Sequence, residues 1–268
     1  MIAAFAIPIL AGTALADAVE EHGRDLIAKV QAGVVAVKLT VKESMAFEGQ
    51  STRKRDSIID VTGTCIDPSG LIVVSLRTID RSEMLGSFSM GGDEENFKSK
   101  FESEIAEAKI IVPGGDEVPA KVVMRDRDLD LAFLRPVEKP AKPFDYVDLK
   151  NPARLKLLEQ FFVVDRMGKE EGRVPVILLS RVGTILEKPR TFYISGDLIA
   201  TLTLGSPAFT ADGKVVGIIV YRISPTGRKK DGGGNHGPVP GIIPAADVME
   251  VAKQIPADAK AETKTEKK

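Results

Sequence analysis

Cysteine and histidine are scarce in this chain of 268 residues: Cys65 is the one cysteine, and His22 and His236 are the two histidines. A lone thiol excludes an intramolecular disulfide and a cysteine-built zinc site, and two imidazoles leave little material for any metal centre. No cofactor is expected. An excess of charge of one sign is also lacking, since 37 basic residues face 38 acidic ones for a net charge of -1. Such a balance gives no long-range field favouring nucleic acid or an anionic membrane. No GxGxxG follows a strand in a βαβ context and no GxxxxGK ending in Ser or Thr occurs, so phosphate-cradling motifs are absent. Long apolar runs are missing as well. The run Ile2 to Leu10 breaks at Asp17, short of the ~20 residues that a spanning helix needs.

What does stand at the start fits an export signal. The apolar run leads into small residues ending in Ala14-Leu15-Ala16, as a secretory h-region and its cleavage site do, although no basic n-region precedes it. A signal peptide over 1–16 and a periplasmic or secreted location are expected. A permanent anchor and an ordinary buried helix are the alternatives.

Beyond it, Ala18 to Gln31 has helical spacing, with Leu26, Ile27 and Val30 on one side. Short β-branched runs follow: Val34 to Val41, Ser57 to Cys65, Leu71 to Leu76, Ile110 to Val112, Ala120 to Met124 and Leu129 to Leu134. Gly and Pro clusters such as Asp67-Pro68-Ser69-Gly70 separate them, which is the look of an antiparallel sandwich or barrel. Pro140, Pro143 and Pro152 mark a connection over 141–152. A second series comprises Phe161 to Asp165, Val174 to Ile185, Thr191 to Ile194, Leu198 to Leu204 and Val215 to Ile223. A closing helix is predicted from Ala245 to Ile255, and a disordered tail over 256–268. Phe97, Phe101 and Ile105 repeat at fourfold spacing after Asp93, predicting an added amphipathic helix within an insertion over about 82–107.

Three segments carry a family resemblance: GTCIDPSGLIVVSLRTID from Gly63 to Asp80, RDLDLAFLRP from Arg127 to Pro136, and LTLGSPAFTADGKVVGI from Leu202 to Ile218. Together they resemble the HtrA/Deg group of trypsin-like serine proteases. The resemblance implies an all-β fold of two antiparallel β-barrels with a C-terminal helix, the first barrel in 17–140 and the second in 153–255. Gly241-Ile242-Ile243-Pro244 takes the place of the Phe-Ala-Ile-Pro stretch before that helix, and the PDZ domain common in the group is not expected here.

Laid over the family patterns, the catalytic histidine falls on Arg77, the aspartate on Asp130 and the serine on Leu204. In such proteases the serine attacks, the histidine takes its proton and the aspartate orients the histidine. A guanidinium offers only donors and stays protonated, and a leucine offers no nucleophile. The oxyanion-hole glycine falls on Leu202. Asp130 is expected to hold the guanidinium of Arg77 in a charge-assisted pair. Ser206, two residues on, is the alternative nucleophile. Cys65 reads as a buried structural thiol, His236 as part of a Gly-rich loop and His22 as solvent-facing. The implied function is a catalytically inactive homologue that binds a protein or an extended peptide in the groove between barrels; the alternative is an active endopeptidase using Ser206.

Overall fold

A computed structural model describes residues 11–47, 53–80, 99–197, 199–222 and 239–256. Helix α1 (Ala11–Val30) and a single 3-10 turn (Gln31–Gly33) lead into β1 (Val34–Phe47), β2 (Arg53–Cys65), β3 (Ile72–Ser75), helix α2 (Leu76–Ile79), β4 (Ser99–Ile111), β5 (Glu117–Asp126) and β6 (Leu131–Pro136). After a stretch without regular structure come β7 (Gln160–Arg166), β8 (Pro175–Leu186), β9 (Phe192–Ser195), helix α3 (Ile199–Leu202), β10 (Pro207–Thr210), β11 (Val215–Arg222), β12 (Val239–Pro244) and helix α4 (Ala245–Ala252). The strands close into two antiparallel barrels of six, in the orders β1-β2-β3-β6-β5-β4 and β10-β11-β12-β9-β8-β7. This is the all-β, two-barrel trypsin-like architecture with its closing helix.

Alternation explains why the strands read as nearly continuous apolar runs. In β1, Val35, Val37, Leu39 and Val41 fill the first barrel, while Val34 points to a cluster between the barrels; in β6, Ala132 and Leu134 fill the barrel and Leu131 and Phe133 join that shared cluster. Over Val34–Val37 and in β6 both faces are therefore buried and the polar half of the period-2 pattern disappears, whereas Lys38, Thr40 and Lys42 restore it further along β1. The shared cluster also takes Leu26 from α1 and Val248 and Val251 from α4. Fully burying a side chain such as Phe133 contributes roughly 1.5–3 kcal/mol, and both helices pack on the strands of the second barrel, α1 on β7 and β8 and α4 on β11 and β12.

Two sequence expectations are corrected. The fourfold stripe suggested a helix through Phe101 and Ile105, but Ser99–Ile111 is strand and pairs with β1 from Ala36↔Ile111 to Phe47↔Ser99. A helix there would leave that edge of β1 without partners, and closing the ladder outweighs a weak periodic signal. Phe97 and Asp93 lie outside the described residues. Leu198 to Leu204 was expected as a strand, yet α3 occupies Ile199–Leu202. The second barrel is already closed by its six strands, so no edge remains for a seventh. Asp197 Oδ1 accepts the Ile199 amide at 3.1 Å and starts a helical turn instead. The expected helix at 18–31 is present and longer, running from Ala11. Residues 1–10 and 257–268 lie outside the described residues, and no described helix is long and apolar enough to cross a membrane.

Candidate functional site

Asp130 is the centre of the candidate site. It follows a turn begun by Asp126, whose Oδ1 accepts the Leu129 amide at 2.9 Å, and it adopts φ 56°. That left-handed conformation is one that aspartate tolerates better than most residues. Its carbonyl accepts the Leu76 amide at 2.8 Å and so anchors the start of α2, the turn that carries Arg77.

The Asp130 side chain is 0 % exposed. Oδ2 accepts Ser75 Oγ at 2.5 Å and the Tyr221 amide at 2.8 Å; Oδ1 accepts the Arg77 amide at 2.9 Å. Ser75 and Arg77 belong to the first barrel and Tyr221 to the second, so one carboxylate ties the two together. Burial makes it a weaker acid, its pKa pushed up to about 6 against the pull of the three donors and of the nearby Arg77 charge. The expected clamp between Arg77 and Asp130 therefore takes a different form. The hydrogen bond from Arg77 comes from its main-chain amide, and the guanidinium acts on Asp130 as a neighbouring charge.

Leu204 belongs to the second barrel. Its half-buried side chain packs on the core of the second barrel beside Ile199. Ser206, the alternative nucleophile, is 0 % exposed, and its Oγ donates to Asp165 Oδ1 at 2.8 Å. Asp165 is buried as well; burial pushes its pKa up and makes it a weaker acid, while Thr62, the Arg166 amide and Ser206 oppose the rise. Thr64 Oγ1 donates to the Gly205 carbonyl at 2.8 Å, so β2 is stitched to the same loop from the first barrel. Ser75, Tyr221 and Asp165 escaped sequence reasoning. Asp165 alone left a signal, as a carboxylate closing the apolar run Phe161 to Val164.

The turn after β7 is fastened across the barrels too. Arg173 Nε lies 2.8 Å from Asp60 Oδ2, and a terminal nitrogen of the same guanidinium lies 2.6 Å from it. The Arg166 guanidinium donates to the carbonyls of Val34, Gln31 and Arg173. Cys65 is fully buried, with its thiol pushed up to about 12 by that burial, so it is no nucleophile. His22 is exposed on α1, and His236 lies outside the described residues. Among the described residues no group of three or more His, Cys, Asp or Glu could hold a metal ion.

Comparison with known proteins places this geometry in context. The family model of the trypsin-like peptidase domain matches residues 61–218, a span holding Arg77, Asp130, Leu204 and Ser206. No curated protein matches the chain. Among solved structures, the protease domain of MamO from Magnetospirillum magneticum, in its apo form, is similar at 18 % identity with a TM-score of 0.49, covering 83 % of this chain and 97 % of that one.

Proposed function

Because the chain belongs to the trypsin-like peptidase domain family, we propose that it is a noncatalytic member of that family, exported, and that it holds a protein segment or extended peptide in the groove between its barrels. The observation that carries this reading is the set of partners around Asp130. Its carboxylate has three hydrogen-bond donors, Ser75 Oγ and the Arg77 and Tyr221 amides, so it keeps an architectural task with no imidazole to orient. The aligned nucleophile is a leucine packed on barrel core, which has no lone pair with which to attack a carbonyl. Holding an extended partner uses backbone hydrogen bonds and side-chain contacts and needs no nucleophile, so the loss of the attacking oxygen leaves that task open.

Use of Ser206 instead would require its hydroxyl to reach a substrate. It has no exposure, and its proton is directed at Asp165. A fluorophosphonate probe separates the two readings. Folded native protein is expected to remain unlabelled; covalent labelling that disappears in Ser206→Ala establishes the protease and ends the noncatalytic reading.

A further inference from the structure

Among the described residues, four that are not glycine have positive φ: Asp130, Asn151, Leu158 and Arg173. Aspartate and asparagine tolerate the left-handed region, and Arg173 brings its guanidinium from there to Asp60. Leu158 has no such account inside the fold. At φ 65° a leucine crowds its Cβ against the backbone, yet the side chain is 65 % exposed, and Leu157 beside it is 59 % exposed. Neither belongs to a core cluster. Backbone strain that packing does not explain gathers where proteins bind something.

The turn that carries the two leucines is fastened. Leu158 N donates to the Val182 carbonyl at 2.9 Å, Val182 N to the Glu159 carbonyl at 3.0 Å, and Glu159 N to the Lys156 carbonyl at 3.1 Å. The Lys156 amide donates to Glu159 Oε2 at 2.7 Å. Leu155 and Val182, both buried, seat the base of the turn in the core of the second barrel. The leucines are therefore held outward on a fixed base.

Cations surround this apolar tip. Lys156 lies within the turn, Arg181 adjoins Val182 on β8, and Arg154 precedes Leu155; all three are exposed. The charges of Arg154 and Glu159 both act on the Tyr193 hydroxyl, which is hydrogen-bonded to the Leu155 main chain, so both stand at the base of the turn. Glu159 is the acid of the turn, and its carboxylate is committed to the Lys156 amide. Asp197 meets Ser180, whose side chain points to the face of β8 opposite that of Arg181. A convex apolar tip with a cationic collar matches an anionic bilayer, where leucines enter the acyl boundary while long basic side chains stay among the headgroups. Because the whole chain is nearly neutral, this attraction acts only within a Debye length, about 8–10 Å, of the tip.

We propose that the turn Lys156–Glu159 is a membrane-docking tip: Leu157 and Leu158 enter the interface of an anionic bilayer, and Arg154, Lys156 and Arg181 meet its lipid phosphates. The contact is peripheral, belongs to the second barrel, and does not depend on the noncatalytic reading.

The buried, unreactive Cys65 allows one introduced cysteine to be labelled on the full chain. An environment-sensitive nitrobenzoxadiazole dye is placed at Leu157→Cys and, as the reference, at Val137→Cys, an exposed position just after β6 in the first barrel. Each is titrated with vesicles of phosphatidylcholine alone or of equimolar phosphatidylcholine and phosphatidylglycerol. Emission at 157 is expected to brighten and shift to the blue with the anionic vesicles alone, and emission at 137 to stay unchanged. In the Leu157→Cys protein, Lys156→Gln/Arg181→Gln should raise the half-saturating lipid concentration about twenty-fivefold, about fivefold for each cation. Leu158→Asn should raise it about tenfold and melt no lower than its parent, because asparagine suits the left-handed backbone. A silent dye at 157, an equal response at 137 or with phosphatidylcholine alone, or unchanged titrations in the variants overturns the docking tip. A lower melt for Leu158→Asn shows that the leucine serves packing, and overturns it as well.

Discussion

Asp130 gives the protein a pH dependence opposite in sign to that of an ordinary salt-bridged acid. Its carboxyl is raised from 3.8 to about 6, because complete burial removes more hydration than Ser75, two main-chain amides and the Arg77 charge restore. A folded value above the unfolded one means that the native chain keeps this proton over a wider range. The associated stability is complete below about pH 3.8 and is lost as pH climbs through about 6. At about 1.4 kcal/mol per pH unit, the gap amounts to about 3 kcal/mol. Asp130→Asn is an uncharged stand-in that cannot titrate. Urea unfolding of both proteins from about pH 4 to about pH 7.5 isolates the effect, since every other acid, Asp165 included, cancels in the difference. The native protein is expected to lose about 2.4 kcal/mol relative to Asp130→Asn across that range, the remainder being lost already below pH 4. Arg77→Met should move the transition to higher pH, because the guanidinium favours the ionised carboxylate. A native protein that instead gains on Asp130→Asn as pH rises would mean that the three donors outweigh burial, and the reasoning fails.

Two other positions give sharp outcomes. Gly205 adopts φ +89°, and a Cβ built there would lie 2.1 Å from the Thr62 carbonyl oxygen; since that atom is backbone and cannot step aside, Gly205→Ala should cost more than about 3 kcal/mol in thermal or urea unfolding. A near-native melt would show that the barrels do not approach so closely. Cys65, with its thiol raised to about 12 inside the first barrel, should react with Ellman's reagent at pH 8 only on unfolding. Reaction of folded protein at the rate of a free thiol contradicts that burial.

Legibility from sequence followed the length scale of each interaction. The runs at Val34 to Val41 and Phe161 to Asp165 gave their strands directly, the first by β-branched residues that turn to alternation at Lys38 and Thr40, the second by burial on both faces of the strand. Arg77 and Asp130 were found together because their local patterns survive around them. Failures came where a distant partner decided the outcome. The Phe101 and Ile105 stripe became strand because β1 lay open beside it. Strands β10 and β12 were not anticipated; each is short, and β12 begins beside residues outside the described ones. The Asp165 partnership with Ser206 spans 41 residues, and Tyr221 lies 91 residues from Asp130. No periodicity encodes a contact of that kind.

By itself the sequence determined the chemistry that is available: one thiol, two imidazoles, and a cation and a hydrocarbon at the positions where the family resemblance leads one to expect a proton acceptor and an attacking oxygen. Those are properties of side chains, and they hold in any fold. Only the tertiary structure decided how the remaining groups are used, because burial and convergence belong to three dimensions. Packing two barrels face to face placed Ser75, Tyr221 and the Arg77 amide around Asp130, turned Ser206 inward to Asp165, and left Leu204 in hydrocarbon contact.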